Sequence, residues 1–568
     1  MKSSVLRRLT ILLTAVCLLL CSASSLAKEI PGISGDLNDD RAVDASDALA
    51  ALQHSVGLSV LPPELQGFGD LNGDAAVDAA DALLMLQYSV GLIRDFPHAK
   101  EDTRVSMASL DDAVVYIRHT EAVDPGSVRT TYQNIGSYIE SIDLPIDSIM
   151  VYINWPTNVN DIASWKNNTD KEIWVMLPAY RDGDAYFNRY PDRRETECEQ
   201  SADGTLGGVM PNPNYTEFKW KRMVEPCINA GAKAVVLEEP ITSFHNVYAP
   251  CFKTAWKEYY GEDWVDPFSS PEARYRTSKL IEHMATEMMQ TIGERIKEKN
   301  PEVLYYIANH NAYRATGEFT CINSAVLDLD CVDGFINQSW SNTSLLSKPY
   351  AGDGVIRPFQ TNYIEYGNAV AVAGEKTLFT LSDPLADYAD TNHYDQYVTL
   401  WQEQLAAQLL QPEVHHFQNS IWTGRHFGEG VPQDFMTAQL SVFQAMNDLS
   451  GKESTLYAGT PGIALAMSDT MTWVSNVSGA LPSSYTREGA YGLSLPLVEK
   501  GIPLGSVCLD RLYSAEQLKN VKILLLGSDI VWPQNETALQ VLSDWVHGGG
   551  VLLSIGGQNG YDTIQSEW

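Results

Sequence analysis

Gly35-Asp36-Leu37-Asn38-Asp39-Asp40 and Gly69-Asp70-Leu71-Asn72-Gly73-Asp74 are two copies of one acidic loop, and they begin 34 residues apart. Each copy continues so that oxygen-bearing side chains occupy loop positions 1, 3, 5, 9 and 12, a spacing that wraps one turn of chain around a hard cation. The sequence therefore predicts two calcium sites, with the ligands Asp36, Asn38, Asp40, Asp44, Asp47, Asp70, Asn72, Asp74, Asp78 and Asp81.

An apolar helix follows each loop, and each helix is expected to stop at a glycine, Gly57 or Gly91. Position 12 is aspartate in both copies, where a full EF-hand has glutamate. This pattern over about residues 33–97 resembles the type I dockerin, a small all-α module that docks enzymes onto a cohesin module of a scaffoldin. An acidic but merely solvated surface is the alternative interpretation. The helix positions Leu52-Gln53 and Leu86-Gln87 replace the basic pair of many dockerins, which favours a less electrostatic dock.

The first 27 residues have the parts of a signal peptide: a basic start, an apolar run from Leu9 to Cys21, and small residues around Ala27. A lipoprotein anchored at Cys21 is a weaker alternative. No later stretch is long and apolar enough to predict a membrane span. We therefore expect a secreted, extracellular protein, on a cellulosome or another cell-surface scaffold.

The formal net charge is −33, which disfavours nucleic acid and anionic membranes as partners. Beyond residue 27 there are six cysteines and no Cys-x-x-Cys pair, so a zinc site is not predicted. In an exported protein some cysteines can pair, and Cys321 with Cys331 is the local candidate. Buried free thiols are the alternative interpretation.

Residues 98–108 are polar and predict a linker, and residues 109–450 then alternate apolar runs with helical stretches. Eight strand–helix units over this length favour a (β/α)8 TIM barrel, with an open three-layer sheet as the competing interpretation. The predicted strands are 114–119, 148–155, 172–178, 232–239, 303–309, 332–338, 377–382 and 414–420.

In a TIM barrel the chemistry lies at the carboxyl ends of the strands. Leu237-Glu238-Glu239-Pro240, at the end of the fourth predicted strand, resembles the Asn-Glu-Pro motif of clan A glycoside hydrolases. The resemblance makes Glu239 the general acid/base. Alternation along a strand is expected to point neighbouring side chains to opposite faces, so only one of the two acids can face the ligand, and Glu238 is the alternate candidate. The clan's nucleophile is a glutamate that ends strand seven; Asp383 stands there and is the candidate nucleophile or general base, in a retaining or an inverting geometry.

Other strand ends carry the candidate sugar-binding residues Arg118, Trp155, Asn309, His310, Trp340 and Trp422. The segment Phe252 to Trp264, strand six and strand eight together resemble bacterial β-galactosidases that carry an amidotransferase-like trimerisation domain. Residues 456–568 predict that third domain, a flavodoxin-like α/β fold with a parallel sheet. Ser554-Ile555-Gly556-Gly557 stands where true amidotransferases have their cysteine, so the domain is expected to be structural or an oligomer contact, with a wall of the sugar pocket as the alternative. The chain ends soon after its third strand and is interpreted as a possible fragment.

Two functions follow from these patterns. The first is a cellulosome-associated glycoside hydrolase for plant cell-wall carbohydrate, with no catalytic cofactor and a homo-oligomer as an open possibility. The alternative is a catalytically inactive, carbohydrate-binding barrel that the dockerin attaches to its scaffold, motivated by the aspartate at strand seven.

Overall fold

The structure is a computed structural model. It describes residues 34–38, 43–93, 96–98, 104–106, 112–117, 146–180, 183–310, 312–315, 319–340, 357–383, 394–419, 432–449, 455–457, 462–473, 483–528 and 531–555. The described strands, in chain order, are β1 Arg104–Ser106, β2 Asp112–Ile117, β3 Ser148–Tyr152, β4 Glu172–Pro178, β5 Cys198–Gln200, β6 Leu206–Val209, β7 Ala234–Glu238, β8 Leu304–Asn309, β9 Gly334–Trp340, β10 Thr377–Asp383, β11 His416–Asn419, β12 Thr455–Tyr457, β13 Ile463–Met467, β14 Gly505–Cys508, β15 Ile523–Gly527 and β16 Val551–Ile555.

The described α-helices, in chain order, are α1 Ala45–Ser55, α2 Pro63–Gly69, α3 Ala79–Ser89, α4 Val159–Asn168, α5 Gly183–Arg189, α6 Arg194–Glu197, α7 Pro213–Lys219, α8 Glu225–Asn229, α9 Pro250–Tyr260, α10 Pro271–Lys299, α11 Ala312–Ala315, α12 Asn323–Leu327, α13 Pro358–Ala373, α14 Tyr394–Leu409, α15 Gln433–Leu449, α16 Ser483–Val498 and α17 Glu536–His547. The chain divides into two compact units, one of residues 1–105 with 456–459 and one of residues 106–455 with 460–568.

The first unit is built from helices α1, α2 and α3. Asp44 and Asp78 cap the two repeated helices, and each lies in a reciprocal capping box with the aspartate three residues later. The predicted helices after the two loops are therefore present, while α2, before the second loop, was not predicted. The core of the first unit is a small apolar cluster that includes Leu37, Val43, Ala48, Ala51, Leu61, Leu65, Leu71, Val77, Ala82 and Met85.

The second unit contains an eight-stranded parallel barrel that closes in the order β10-β11-β2-β3-β4-β7-β8-β9. All eight predicted strands are present, with ends that shift by a few residues. Along the barrel strands whose side chains are described, inward and outward buried side chains alternate, as barrel strands require. One set fills the barrel interior, and it consists of Met150, Tyr152, Trp174, Met176, Ala234, Val236, Tyr306, Ala308, Ile336, Phe379 and Leu381. The other set, including Val235, Leu237 and Ile307, packs outward against the helices.

A four-stranded parallel sheet follows the barrel in the order β14-β13-β15-β16. Strands β13, β15 and β16 match predicted strands, and β14 was not predicted. The four-stranded sheet fits the predicted α/β class, while its likeness to an amidotransferase stays a prediction. A short antiparallel hairpin, β5 with β6, lies between barrel strands β4 and β7 in the sequence.

The described residues also bear on the predicted linker, the cysteine pair and the absence of a membrane span. Strand β1 lies inside the predicted linker and pairs with β12. The six described cysteines are free thiols, so the candidate pair of Cys321 and Cys331 is not formed; the Cys321 thiol instead donates to Asp469 at 3.0 Å. Within the described segments, no helix combines the length and the apolarity needed to cross a bilayer.

Candidate active site

The fourth barrel strand, β7, delivers two neighbouring carboxylates to the barrel mouth. Glu238 is its last residue and continues the inward alternation of Ala234 and Val236. Glu239 follows the strand with a φ of +49°, a left-handed conformation that non-glycine residues rarely adopt. Its backbone N–H still donates to the carbonyl of Ala308 on β8, at 2.7 Å. The left-handed residue turns the chain out of the strand, so alternation no longer decides where its side chain points.

Glu239 is paired with the histidine that follows the next barrel strand. Its Oε1 lies 2.8 Å from Nε2 of His310, and both side chains are almost completely buried. The other ring nitrogen, Nδ1, lies 3.1 Å from the carbonyl oxygen of Gln338 on β9. Three neighbouring strands, β7, β8 and β9, therefore position one acid and its partner.

These two contacts fix where a proton must be. A carbonyl oxygen can only accept, so Nδ1 of His310 carries a hydrogen that it donates to Gln338. A second proton must then lie between Nε2 and the Glu239 carboxyl, because two bare lone pairs would repel each other at 2.8 Å. Either Glu239 is protonated and donates to neutral His310, or protonated His310 donates to the carboxylate. Both states keep a proton on the pair, as a general acid requires.

Glu238 belongs to the same cluster but has a different environment. It is half-buried, and its Oε1 accepts a hydrogen bond from the Gln338 amide at 3.3 Å. The sequence predicted that Glu238 and Glu239 point apart. In the structure both contact the pair formed by His310 and Gln338, because the turn at Glu239 breaks the strand alternation.

Several buried polar atoms of the described residues have no hydrogen-bond partner, and two of them lie near the carboxyl ends of β9 and β3. These two are Oε1 of Gln338 and Oδ1 of Asn154, which lies two residues beyond Tyr152 of β3. Buried polar atoms are nearly always paired, so acceptors left open at the mouth of a barrel are suited to a ligand with hydroxyl donors.

The structure places three of the six candidate sugar-binding residues with their side chains. Trp155 is 41% exposed beyond β3, where a sugar can stack on its ring. His310 contacts Glu239, as described above. Asn309 was expected to bind sugar, but its buried amide instead bonds to Asn323 and to the N–H of His310. It faces outward because alternation on β8 turns Ala308 inward.

The other candidates are described only in part. Asp383 and Trp340 end the neighbouring strands β10 and β9 in register, and their side chains lie outside the described part of the structure. In barrel order β10 is three strands from β7, which places the backbone of Asp383 across the mouth from Glu239. Arg118 and Trp422 lie outside the described residues.

Sequence reasoning did not identify Gln338 or Asn323 as parts of this site. Gln338 was noted only as a strand end, and Asn323 follows no strand. The signal that could have indicated Gln338 is its place on an inward position of β9, two residues beyond Ile336.

The repeated loops form the second candidate site, in the first unit. The two position-12 aspartates have equivalent bonds: Asp47 accepts from the N–H groups of Leu37 and Asn38, and Asp81 from those of Leu71 and Asn72. At position 6 of the second loop, where an EF-hand requires glycine, Ala75 has a φ of +68°. The second loop thus has a backbone of the calcium-loop type.

The donor set of these loops fits calcium, since every predicted ligand is an oxygen. Asp70 is oriented by the N–H groups of Gly73, Asp74 and Ala75, at 2.7–3.1 Å. Among the described residues, no three acidic, histidine or cysteine side chains are gathered closely enough to form a metal cluster. Asp40 lies outside the described residues.

Comparison with known families identifies the first unit. Residues 34–89 match the family model for the Dockerin type I domain. These residues are a type I dockerin. No curated protein matches the chain in sequence.

The dockerin is followed by a barrel whose fold is similar to solved β-galactosidases. The enzyme from the Antarctic haloarchaeon Halorubrum lacusprofundi is 12% identical, with a TM-score of 0.52 over 78% of this chain and 72% of that one. A GH42 β-galactosidase from G. stearothermophilus is 10% identical, with a TM-score of 0.53 over 79% and 72%. The β-galactosidase from Bacillus circulans sp. alkalophilus is 10% identical, with a TM-score of 0.52 over 79% and 71%. At these identities the likeness shows the fold.

Proposed function

We propose that this chain is a secreted, cellulosome-associated glycoside hydrolase that cleaves O-glycosyl bonds of plant cell-wall carbohydrate. The observation that carries the proposal is the buried contact of 2.8 Å between Glu239 and His310 at the carboxyl end of the fourth barrel strand. A carboxyl group that must share a proton is suited to protonating a leaving oxygen. The fold shared with β-galactosidases makes an exo-acting, β-galactosidase-like enzyme the finer form of the proposal.

In this mechanism the proton held between Glu239 and His310 moves to the glycosidic oxygen as the bond to the anomeric carbon breaks. Asp383 acts from across the mouth, either by attacking the anomeric carbon or by taking a proton from an attacking water. Glu238 accepts hydrogen bonds from sugar hydroxyls, and Trp155 provides a stacking surface. The open acceptors of Gln338 and Asn154 take further hydroxyl donors.

Docking is the second part of the proposal. The dockerin binds Ca²⁺ through its two loops and then a cohesin of a scaffoldin. Calcium binding to such loops is coupled to folding, because the carboxylates repel one another until the ion neutralises them. The amidotransferase-like character of the α/β domain, and any role of that domain in forming an oligomer, remain predictions.

The test is hydrolysis of a panel of aryl and unactivated glycosides by wild type, Glu239→Gln, Glu238→Gln and Asp383→Asn. We expect Glu239→Gln to lower kcat by about 10²- to 10⁴-fold for a poor leaving group, and much less for nitrophenol, which needs no proton. Glu238→Gln should raise KM with a smaller effect on kcat, and it serves as the matched control.

The outcomes separate the hypotheses. A defect in Glu239→Gln that ignores the leaving group would remove it as proton donor, and the reverse pattern in the two variants would assign that role to Glu238. Sugar binding without turnover of any substrate by wild type would favour the inactive, carbohydrate-binding barrel.

A further inference from the structure

His310 is held by its main chain as well as by its ring. Its N–H donates to Oδ1 of Asn309 at 2.9 Å, and its carbonyl accepts from Nδ2 of Asn323 at 2.9 Å. The two asparagines are joined to each other, since Nδ2 of Asn309 donates to Oδ1 of Asn323 at 2.8 Å. All three residues are at most 5% exposed. The backbone of His310 is therefore fixed on both sides within a closed ring of hydrogen bonds.

The α/β sheet holds the segment that carries Asn323. The carboxylate of Asp469, just after β13, accepts from the N–H of Ser324 at 2.7 Å and from the Cys321 thiol at 3.0 Å. The loop after Asp469 also binds the backbone of Cys321. The N–H of Cys321 donates to Oγ1 of Thr472, and the carbonyl of Cys321 accepts from the indole N–H of Trp473. Residues on both sides of Asn323 are thus fixed by one loop of the sheet.

Asp510 adds a second contact from the neighbouring strand. It follows β14, accepts from the N–H of Asp469 at 2.7 Å, and accepts from the Ser324 hydroxyl at 3.3 Å. Both acids are almost completely buried. The position of Ser324, and of Asn323 beside it, is therefore set by groups from β13 and β14 together.

We propose that Asn309 and Asn323 are positioning residues for the proton-sharing pair of Glu239 and His310, and that the α/β sheet controls that pair through Asp469. The inference rests on the proposed role of Glu239 as proton donor. It gives the α/β domain a role in positioning the barrel's acid, which differs from an oligomer contact or a wall of the sugar pocket.

The physical reason is that each hydrogen bond in this buried network depends on the positions of the others. Buried hydrogen-bond networks in a low-dielectric interior lose much of their stability when one member is removed, and the remaining members move to find new partners. Misplacement of a catalytic group by about 1 Å can lower the rate by about 100-fold. A shift of the His310 backbone moves Nε2 away from Glu239 and Nδ1 away from Gln338 together.

The first test uses Asn323→Asp, which keeps the acceptor for Asn309 but removes the donor to the His310 carbonyl. We expect kcat to fall about 10- to 100-fold with KM little changed, and the limb of the pH–rate profile assigned to the general acid to move. Asp469→Asn is the second variant, used if Asn323→Asp does not fold. Arg357→Gln is the matched control, because it breaks an ion pair with Glu499 at the same barrel–sheet contact, and Asn309, His310 and Asn323 are not part of that pair.

The second test does not depend on activity. In ¹⁵N-histidine-labelled full-length protein, with His310→Asn for assignment, the His310 ring should show a protonated Nδ1 in wild type and in Arg357→Gln. Asn323→Asp and Asp469→Asn should show a mixture with protonated Nε2 and free Nδ1. A ring signal that stays unchanged in both variants would overturn the inference. If Glu239→Gln proves fully active, the proposed role of Glu239 as proton donor fails, while the ring signal still decides whether the asparagines position His310.

Discussion

Gly334 begins the sixth barrel strand at a point where no side chain fits. A Cβ there would lie 2.2 Å from the carbonyl oxygen of Thr377 on β10 and 2.6 Å from the ring of Tyr306 on β8. That ring packs against Trp174 and Phe379 in the barrel interior. The close approach lets β9 pair with both neighbours and carry Gln338 to the barrel mouth.

We expect Gly334→Ala to destabilise the barrel by about 3 kcal/mol, because the carbonyl oxygen it meets belongs to the backbone and cannot move aside as a side chain can. Urea unfolding followed by tryptophan fluorescence measures the loss. Gly492→Ala is the control, since nothing lies within 4 Å of its Cβ in helix α16, and it should be neutral or stabilise by up to about 1 kcal/mol. Equal stability of the two variants would contradict the packing argument.

Glu239, unlike Gly334, has a side chain, and it nevertheless adopts a left-handed backbone conformation. A left-handed non-glycine residue costs roughly 1–2 kcal/mol, and such strain persists where the surroundings hold it. Here the hydrogen bond from its N–H to Ala308 and the pair with His310 hold it. Sequence alternation could not predict this position, because alternation assumes that the strand continues.

Helices α1 and α3 of the dockerin, with the turns that follow them, present equivalent apolar side chains to solvent. Four exposed apolar residues of the first copy recur 34 positions later in the second, as Leu49, Leu52, Val56 and Leu58 and then Leu83, Leu86, Val90 and Leu92. An exposed apolar face that is duplicated by an internal repeat is typical of a binding surface. Its lack of charge agrees with the less electrostatic dock predicted from the helix sequence.

We expect Leu49→Asp to leave cohesin binding partly intact, because the second copy is unchanged, and Leu49→Asp with Leu83→Asp to weaken it by at least 100-fold. Isothermal titration against a panel of cohesins, in calcium and in EDTA, measures the effect. Leu206→Asp, on the exposed hairpin of the barrel unit, is the control. Tight binding by the double variant, or binding that survives EDTA, would contradict the proposed docking face or its dependence on calcium.

The contact between the barrel and the α/β sheet encloses several acids. Burial, and then the neighbouring Asp469, raise the pKa of Asp510 to about 7. Burial also raises the pKa of Asp469, and it raises that of Glu282, on helix α10, well above its ordinary value. Arg511 faces Asp469 and Lys279 faces Glu282, and each partly offsets the shift. The folded protein therefore holds protons here that an unfolded chain releases near pH 4.

Since the folded state binds more protons, stability falls as the pH rises from about 4 to about 7 and is lower above that range. We expect the free energy of unfolding of wild type to fall between pH 5 and pH 8 by up to about 3 kcal/mol more than that of Asp510→Asn. Urea titrations at both pH values measure the difference. Asp203→Asn is the control, because hydrogen bonds, first of all from Ser201, lower the pKa of that exposed carboxyl to about 2. Parallel pH profiles of wild type and Asp510→Asn would contradict the assignment.

Much of the architecture was predictable from local pattern. The eight barrel strands, the helices after the two loops and three strands of the final sheet are long apolar runs or sharply punctuated repeats, which local sequence specifies well. The elements that were missed are short: helix α2, the hairpin of β5 and β6, and β14, a four-residue strand with only two buried side chains. Segments this short carry too little periodicity to be recognised.

By itself the sequence determined the duplicated acidic loops, the alternating strands of the barrel and the pair of acids that ends the fourth strand, because each is a property of neighbouring residues. Tertiary structure alone decided that Glu239 meets His310, that the Asn309 amide bonds to Asn323 and to the N–H of His310, and that Asp469 reaches the loop beside Asn323. Asp469 and Ser324 are 145 positions apart in sequence and 2.7 Å apart in space. Contacts of that kind arise only when the barrel closes and the sheet packs against it, since no local pattern records which distant groups will be buried together.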